Sequence, residues 1–227
     1  MATAPIPTLS LQDHAYEHVR EQICSGAYLP GMRLDYRVVG QEIGVSTTPV
    51  REAMRRLENE GLVELVPRLG AVVKKLDREE MRELYGVREA IESYAASKSD
   101  TISQMQLDRM GEYVAEMDRL IAAWTGEHTT PMVGDTLHRF LELDWKFHQM
   151  IIEAAGNRRL LRIVETCHVM TRIFYADRAD HHAKRLKQAN EHHHQILDLL
   201  RQHDGEGARR KVIEHVRGSL EWSMMAG

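Results

Sequence analysis

Four residues in the C-terminal half have the types and spacing of a cation site. Asp144 and His148 are four apart, which on a helix puts both side chains on one face. His193 and His215 lie on successive helical stretches joined near His203-Asp204. At a rise of ~1.5 Å per residue both are roughly 15–16 Å from that turn, so antiparallel packing would bring them level. One carboxylate and three imidazoles are donors that Zn, Ni, Mn or Fe accept. The same spacing also suits a plain polar helix face, because a chain with 13 histidines produces such pairs by chance. His181, His182, His192 and His194 match no such geometry and read as solvated or as neighbours of the ligands. His168, mid-helix, is a spare ligand candidate.

Arg51 and Arg55, one turn apart, form a second set, with Arg56 beside them. Guanidinium groups on one helix face can contact phosphates and base edges in DNA, although a solvated basic face is the plainer alternative. The surrounding elements favour DNA. Val39 and Ile43 mark a short apolar helix stopped at Gly44, a residue suited to a left-handed helix end. Ser46, Thr47 or Thr48 can cap the next helix, and Pro49 suits its first turn. Val50, Ala53, Met54 and Leu57 give that helix a buried stripe. This is a helix-turn-helix whose second helix carries the arginines and would enter the major groove.

After Gly61, Leu62–Val66 and Ala71–Lys75 read as two short strands around the turn Pro67-Arg68-Leu69-Gly70. Placed there, the hairpin is a wing with Arg68 at its tip. Residues 67–75 hold three basic residues and no acidic one, while residues 1–76 hold nine of each sign. The net charge of -4 therefore does not argue against DNA binding, because the positive charge is local.

A chain of 227 residues suffices for two modest domains. The expected division is a flexible N-terminus (1–10), a winged helix-turn-helix (11–76) and an all-helical domain (77–227). No run of about 20 apolar residues and no signal peptide is evident, so a cytoplasmic, membrane-free protein is expected. Cys24 and Cys167 fall in different domains and read as buried thiols. Asp77-Arg78-Glu79-Glu80 is a capping box opening a helix with the stripe Met81, Leu84, Val87, Ile91, Tyr94 and Ala95. Further helices are expected over about 103–124, 135–155, 158–176, 185–202 and 205–225, with a loop at 126–134 and no strand beyond the wing. The expected fold is mainly α: an N-terminal winged helix-turn-helix plus a C-terminal antiparallel six-helix bundle.

From about Ala15 to Lys75 the sequence resembles the GntR-type bacterial transcription regulators, on the opening helix with Val19, Ile23 and Gly26, the link Leu29–Leu34 and the signature Thr48-Pro49-Val50-Arg51-Glu52-Ala53. The resemblance implies DNA contacts by Arg37 and Arg51, by the cap residues Ser46, Thr47 and Thr48, and by the wing glycine Gly70. Thr47 departs from relatives, which commonly have arginine there. From about Arg78 to Val216 the chain resembles the FCD ligand-binding domain of the FadR-type subgroup, on Leu84–Glu92, Asp144-Trp145-Lys146-Phe147-His148, Ala154–Asn157 and His193–Asp198. That resemblance implies a divalent metal (Zn, Ni or Mn) on Asp144, His148, His193 and His215 beneath a carboxylate effector. Among the consecutive histidines it selects His193 over His192 and His194 by the register of Ile196-Leu197-Asp198. It matches Arg88 to an arginine often turned into the pocket, while the residue pattern alone also allows a surface arginine.

The reading is a homodimeric, metabolite-responsive regulator, a repressor in the family's commonest mode, bound to a near-palindromic double-stranded operator. The alternatives are a bundle that only dimerises and a metal-dependent hydrolase. No residue stands out as the general base that hydrolysis would need.

Overall fold

The computed structural model describes residues 10–125, 130–176 and 182–225. The chain divides into two compact units that part between Leu76 and Asp77, except that the short piece 172–177 is grouped with the first. The expected mobile N-terminus lies, except for Ser10, outside the described residues. Ser10 itself is the N-cap of helix α1 (Leu11–Cys24), its hydroxyl accepting from the Asp13 amide at 3.2 Å.

In the first unit α1 buries Ala15, Tyr16, Val19 and Ile23. Helix α2 (Tyr36–Ile43) starts at Asp35, whose carboxylate accepts from the Arg37 amide, and stops at Gly44 with φ 71°. Helix α3 (Thr47–Asn59) follows from the N-cap Ser46 and packs Val50, Ala53, Met54 and Leu57 against α1 and α2. Gly40 makes the tight turn possible. A Cβ there would lie 2.7 Å from the Val45 carbonyl oxygen, which is backbone and cannot swing aside. Gly40→Ala should therefore destabilise this unit by about 1–3 kcal/mol, as overpacking usually does. A lower melting temperature is the expected readout, and unchanged melting would show that the turn relaxes freely.

The wing is an antiparallel hairpin of β2 (Val63–Val66) and β3 (Gly70–Val73), in the register Val66↔Gly70 to Val63↔Val73. Contrary to the expectation of no strand beyond the wing, Arg33–Leu34 forms a strand, β1, on the free edge of β3. Two residues after Pro30-Gly31 carry no alternation of their own, and pairing with residues 71–72 is what makes them a strand. The turn closes through the Leu69 amide to the Val66 carbonyl at 3.0 Å. Arg68 occupies its third position with φ 66°, a conformation that favours glycine or asparagine.

The second unit is a bundle of α4 (Arg78–Ala96), α5 (Gln104–Thr125), α6 (Gly134–Ala154), α7 (Arg158–Ala176), α8 (Ala183–Arg201) and α9 (Gly205–Met225). Both reciprocal bonds of the Asp77/Glu80 capping box are present. Helix α4 packs on α9 and α6, α5 on α6 and α8, and α8 on α9. The α5 stripe Leu107, Met110, Val114, Met117 and Ile121 is buried as the spacing predicts. The α4 stripe is not. Tyr85, Arg88 and Glu92 lie inside with Met81 and Ala95, whereas Val87 and Tyr94 are 37% and 49% exposed and Leu84 and Ile91 are half-buried. Apolar periodicity misplaces this face because the helix turns polar residues inward.

Candidate metal centre and nucleic-acid interface

What the bundle encloses is a polar cluster. Arg88, Glu92, His148, His168, Asn190, His193 and His215 are all buried. Burying so many polar groups costs several kcal/mol unless they are paired or bind a ligand. Asp144 and His148 come from α6, His193 from α8 and His215 from α9, and one ligand atom of each lies within 4.8 Å of all the others. His148 Nε2 is 3.2 Å from His215 Nε2 and 3.3 Å from His193 Nε2, and His193 Nε2 is 3.3 Å from Asp144 Oδ1. Donor atoms around one ion with bonds of about 2.0–2.2 Å stand about 3.0–3.5 Å apart, so the four residues fit a divalent metal. The three-residue turn 202–204 brings His193 and His215 level, as the spacing predicts. His193 is fully buried. His192 Nε2 instead lies 3.6 Å from Glu214, and His194 Nε2 lies 2.8 Å from Asp118. His168 stacks on Trp145 at 4.2 Å between centroids and does not join the four. His182 is the exposed N-cap of α8, and His181 lies outside the described residues.

Electrostatics separates the groups. Burial drives the pKa of His193 well below 6.5, reinforced by His148 and its neighbours. Burial, with His193 and His148, does the same to His215. Burial alone would raise the Glu92 pKa, but Arg88 and His148 outweigh it and hold the carboxylate ionised. Burial would likewise lower the Arg88 pKa, and Glu92 more than reverses this. Arg88, 4% exposed, is therefore an inward arginine and not a surface one, with Nε donating to Glu92 Oε1 at 2.8 Å. Two imidazoles held neutral make stability depend on pH. Below about 6.5 the unfolded chain takes up protons that the folded chain refuses, so stability is complete above that pH and falls as pH drops. Each histidine contributes a slope of up to about 1.4 kcal/mol per pH unit. Denaturant titrations of metal-stripped protein from pH 7.5 to 5.5 should show this loss, and a flat profile would mean that the imidazoles are not buried in the neutral form.

In the first unit the basic residues converge. Arg33, Arg37, Thr47, Arg51, Arg68 and Gly70 line one concavity of about 260 Å³, together with Asp35 and Tyr36. Helix α2 contributes Arg37, α3 contributes Thr47 and Arg51, and the wing contributes Arg68 and Gly70. Ser46 and Thr48 are exposed at the start of α3, and the Ser46 hydroxyl makes no capping bond to its own helix. Arg55 is exposed on the next turn, 3.1 Å from Glu52. Arg56 points the other way, onto the Tyr16 ring at 3.6 Å and to Asp13 at 3.2 Å, so it braces α1 and is not part of the basic face. Sequence reasoning missed Arg33, whose Nε donates to the Leu69 carbonyl at 2.6 Å and ties β1 to the wing turn. It also missed Glu92 and Asn190. Their only local signals were the four-residue step from Arg88 and the three-residue step to His193. The two cysteines lie in separate units; Cys167 is buried as expected, whereas Cys24 is half-buried.

Comparison with known proteins agrees with this architecture. Residues 11–73 match the model of the bacterial regulatory proteins of the gntR family, and residues 83–218 match that of the FCD domain. The chain is 26% identical over 211 residues to the uncharacterized HTH-type transcriptional regulator YdhC of Bacillus subtilis, covering 91% of this chain and 88% of that one. It is 24% identical over 213 residues to the HTH-type transcriptional repressor RspR of Escherichia coli, covering 93% and 88%. The solved structure of Escherichia coli McbR/YncC shares the fold, with TM-score 0.80 at 20% identity over 96% of this chain and 99% of that one. These relatives are regulators and not enzymes, which removes the hydrolase alternative. No helix among the described residues is long and apolar enough to cross a membrane. The chain belongs to the GntR family of bacterial regulatory proteins and is a DNA-binding transcriptional regulator in which a winged helix-turn-helix precedes an FCD domain.

Proposed function

We propose that this regulator is a cytoplasmic homodimeric repressor, released from a near-palindromic operator by a small carboxylate that binds at a divalent metal in the helical unit. The observation that carries the reading is the convergence of Asp144, His148, His193 and His215 inside the bundle. A bound Zn, Ni or Mn ion would supply Lewis-acid attraction for an anionic oxygen in positions left open by the four protein ligands. Arg88 would hold a second carboxylate through its terminal nitrogens, because its Nε is engaged by Glu92. At the operator, Arg37, Arg51, Arg55 and Arg68 would face DNA, while Ser46, Thr47, Thr48 and the Gly70 backbone meet phosphates at the start of α3 and at the wing. The half-exposed face of Leu84, Val87, Ile91 and Tyr94 on α4 supports a dimer, since it leaves apolar area to bury. The repressor sign follows the named activity of RspR.

The test is to titrate candidate organic acids into metal-loaded protein while following its binding to an operator selected from random-sequence DNA. Coupling of about 1–3 kcal/mol corresponds to a change of roughly 5- to 150-fold in apparent DNA affinity. The Asp144→Ala variant should not show this change. An acid that binds tightly at the metal while DNA affinity stays flat would favour a bundle that only dimerises.

A further inference from the structure

An imidazole binds a cation only through an unprotonated nitrogen. A neutral ring has a single proton to place, so an acceptor facing one nitrogen leaves the other bare. The residues behind the metal candidates place that proton. His148 Nδ1 lies 2.7 Å from Glu92 Oε2, at ion-pair distance rather than in full hydrogen-bond alignment. Both atoms are buried, and neither has another hydrogen-bond partner. The other Glu92 oxygen accepts from Arg88 Nε at 2.8 Å, which fixes the carboxylate plane. On the next ligand, His193 Nδ1 faces Asn190 Oδ1 at 3.2 Å. The Asn190 amide can point only one way. Its Nδ2 donates to the Val114 carbonyl at 3.1 Å and to Asp118 Oδ1 at 2.7 Å, so a flip would set oxygen against both acceptors. In each case the outer partner is an acceptor and faces Nδ1, while the Nε2 atoms meet in the centre, where Asp144 Oδ1 also lies 3.3 Å from His193 Nε2, an oxygen that a bound cation would engage in place of that ring. His215 Nδ1 has no such acceptor among the described residues.

We propose that Glu92 and Asn190 are positioning residues of the cation site, holding His148 and His193 as Nδ1–H tautomers so that each Nε2 lone pair is bare and aimed at the shared centre. This inference rests on the metal reading above. It also gives the buried Arg88–Glu92 pair a purpose beyond packing, since Arg88 orients the carboxylate that orients the ligand.

Glu92→Gln is the sharpest probe, because it preserves shape and removes one acceptor. Arg88 Nε, a donor, keeps the single amide oxygen. The amide NH₂ then faces His148 Nδ1, which must accept, and the ring proton moves to Nε2, where it blocks coordination. In metal-stripped full-length protein labelled with ¹⁵N-histidine, ring-nitrogen shifts should show Nδ1–H for His148 in the wild type and Nε2–H for His148 in Glu92→Gln. Zn(II) affinity, measured by competition with a chromophoric chelator, should fall about 10- to 100-fold in Glu92→Gln and in Asn190→Leu, the usual cost of losing such an orienting partner. Wild-type Zn(II) affinity in both variants, or Nε2–H on His148 in the wild type, overturns the inference alone. A wild-type chain that takes up no divalent ion overturns the metal reading and this inference together. If Glu92→Gln does not fold, the wild-type tautomers and the Asn190→Leu affinity decide.

Discussion

Replacing His148 and His215 together by alanine should abolish uptake of about one divalent ion per chain and erase the melting-temperature gain that the ion confers on the wild type. The four donor atoms come from α6, α8 and α9, so an ion held among them ties three helices together. Such an ion is absent from the unfolded chain's organised structure, and its binding therefore adds to folding stability by mass action. At 100 to 1,000 times its dissociation constant this amounts to about 2.7–4.1 kcal/mol. A unit of this size gains roughly 2–4 °C per kcal/mol, so a shift on the order of 5–15 °C is expected. The comparison must be made with and without metal for each protein, because removing two buried imidazoles changes the metal-free bundle as well. The decisive quantity is the increment on adding Zn(II), Ni(II) or Mn(II), which should be present in the wild type and absent in the variant. An equal increment in both would show that the ion binds elsewhere.

Arg51→Ala is expected to reduce affinity for the selected operator by about 1–3 kcal/mol, or roughly 5- to 150-fold, with little effect on folding. Arg51 is exposed on α3 and lines the same concavity as Arg33, Arg37 and Arg68, whereas the α3 core consists of Val50, Ala53, Met54 and Leu57. Its loss should be larger on the operator than on unrelated DNA, because phosphate contacts by the remaining arginines carry no sequence information. Arg56→Ala is the matched control. That side chain lies on Tyr16 and near Asp13 and Glu60, so its removal should lower stability and leave sequence preference intact. If Arg51→Ala binds operator as the wild type does, or if Arg56→Ala relaxes specificity, the reading face of α3 has been assigned to the wrong side of the helix.

The sequence by itself determined the parts of this protein that depend on short-range chemistry. The Gly44 stop and the Val50–Leu57 stripe are local signals, and so are the Asp77 capping box and the α5 stripe, because caps and helical periodicity act within a few residues. Ser46, Thr47 and Thr48 are equal candidates in the sequence for the start of α3, and the structure places it at Ser46. The four candidate ligands could be read because two lie one turn apart and the other two are equidistant from a single turn. What only the tertiary structure decided involves partners far apart in the chain. Residues 33–34 become a strand through Ala71 and Val72, and Arg56 leaves the basic face for Tyr16, 40 positions earlier. Arg88 and Glu92 turn inward toward His148, and Asn190 is held by Val114 and Asp118. Apolar periodicity rotates the inner face of α4 toward Val87 and Tyr94 because it counts every polar residue as solvent-facing. A charged or amide side chain can lie inside when a partner compensates its burial, and that partner comes from another helix.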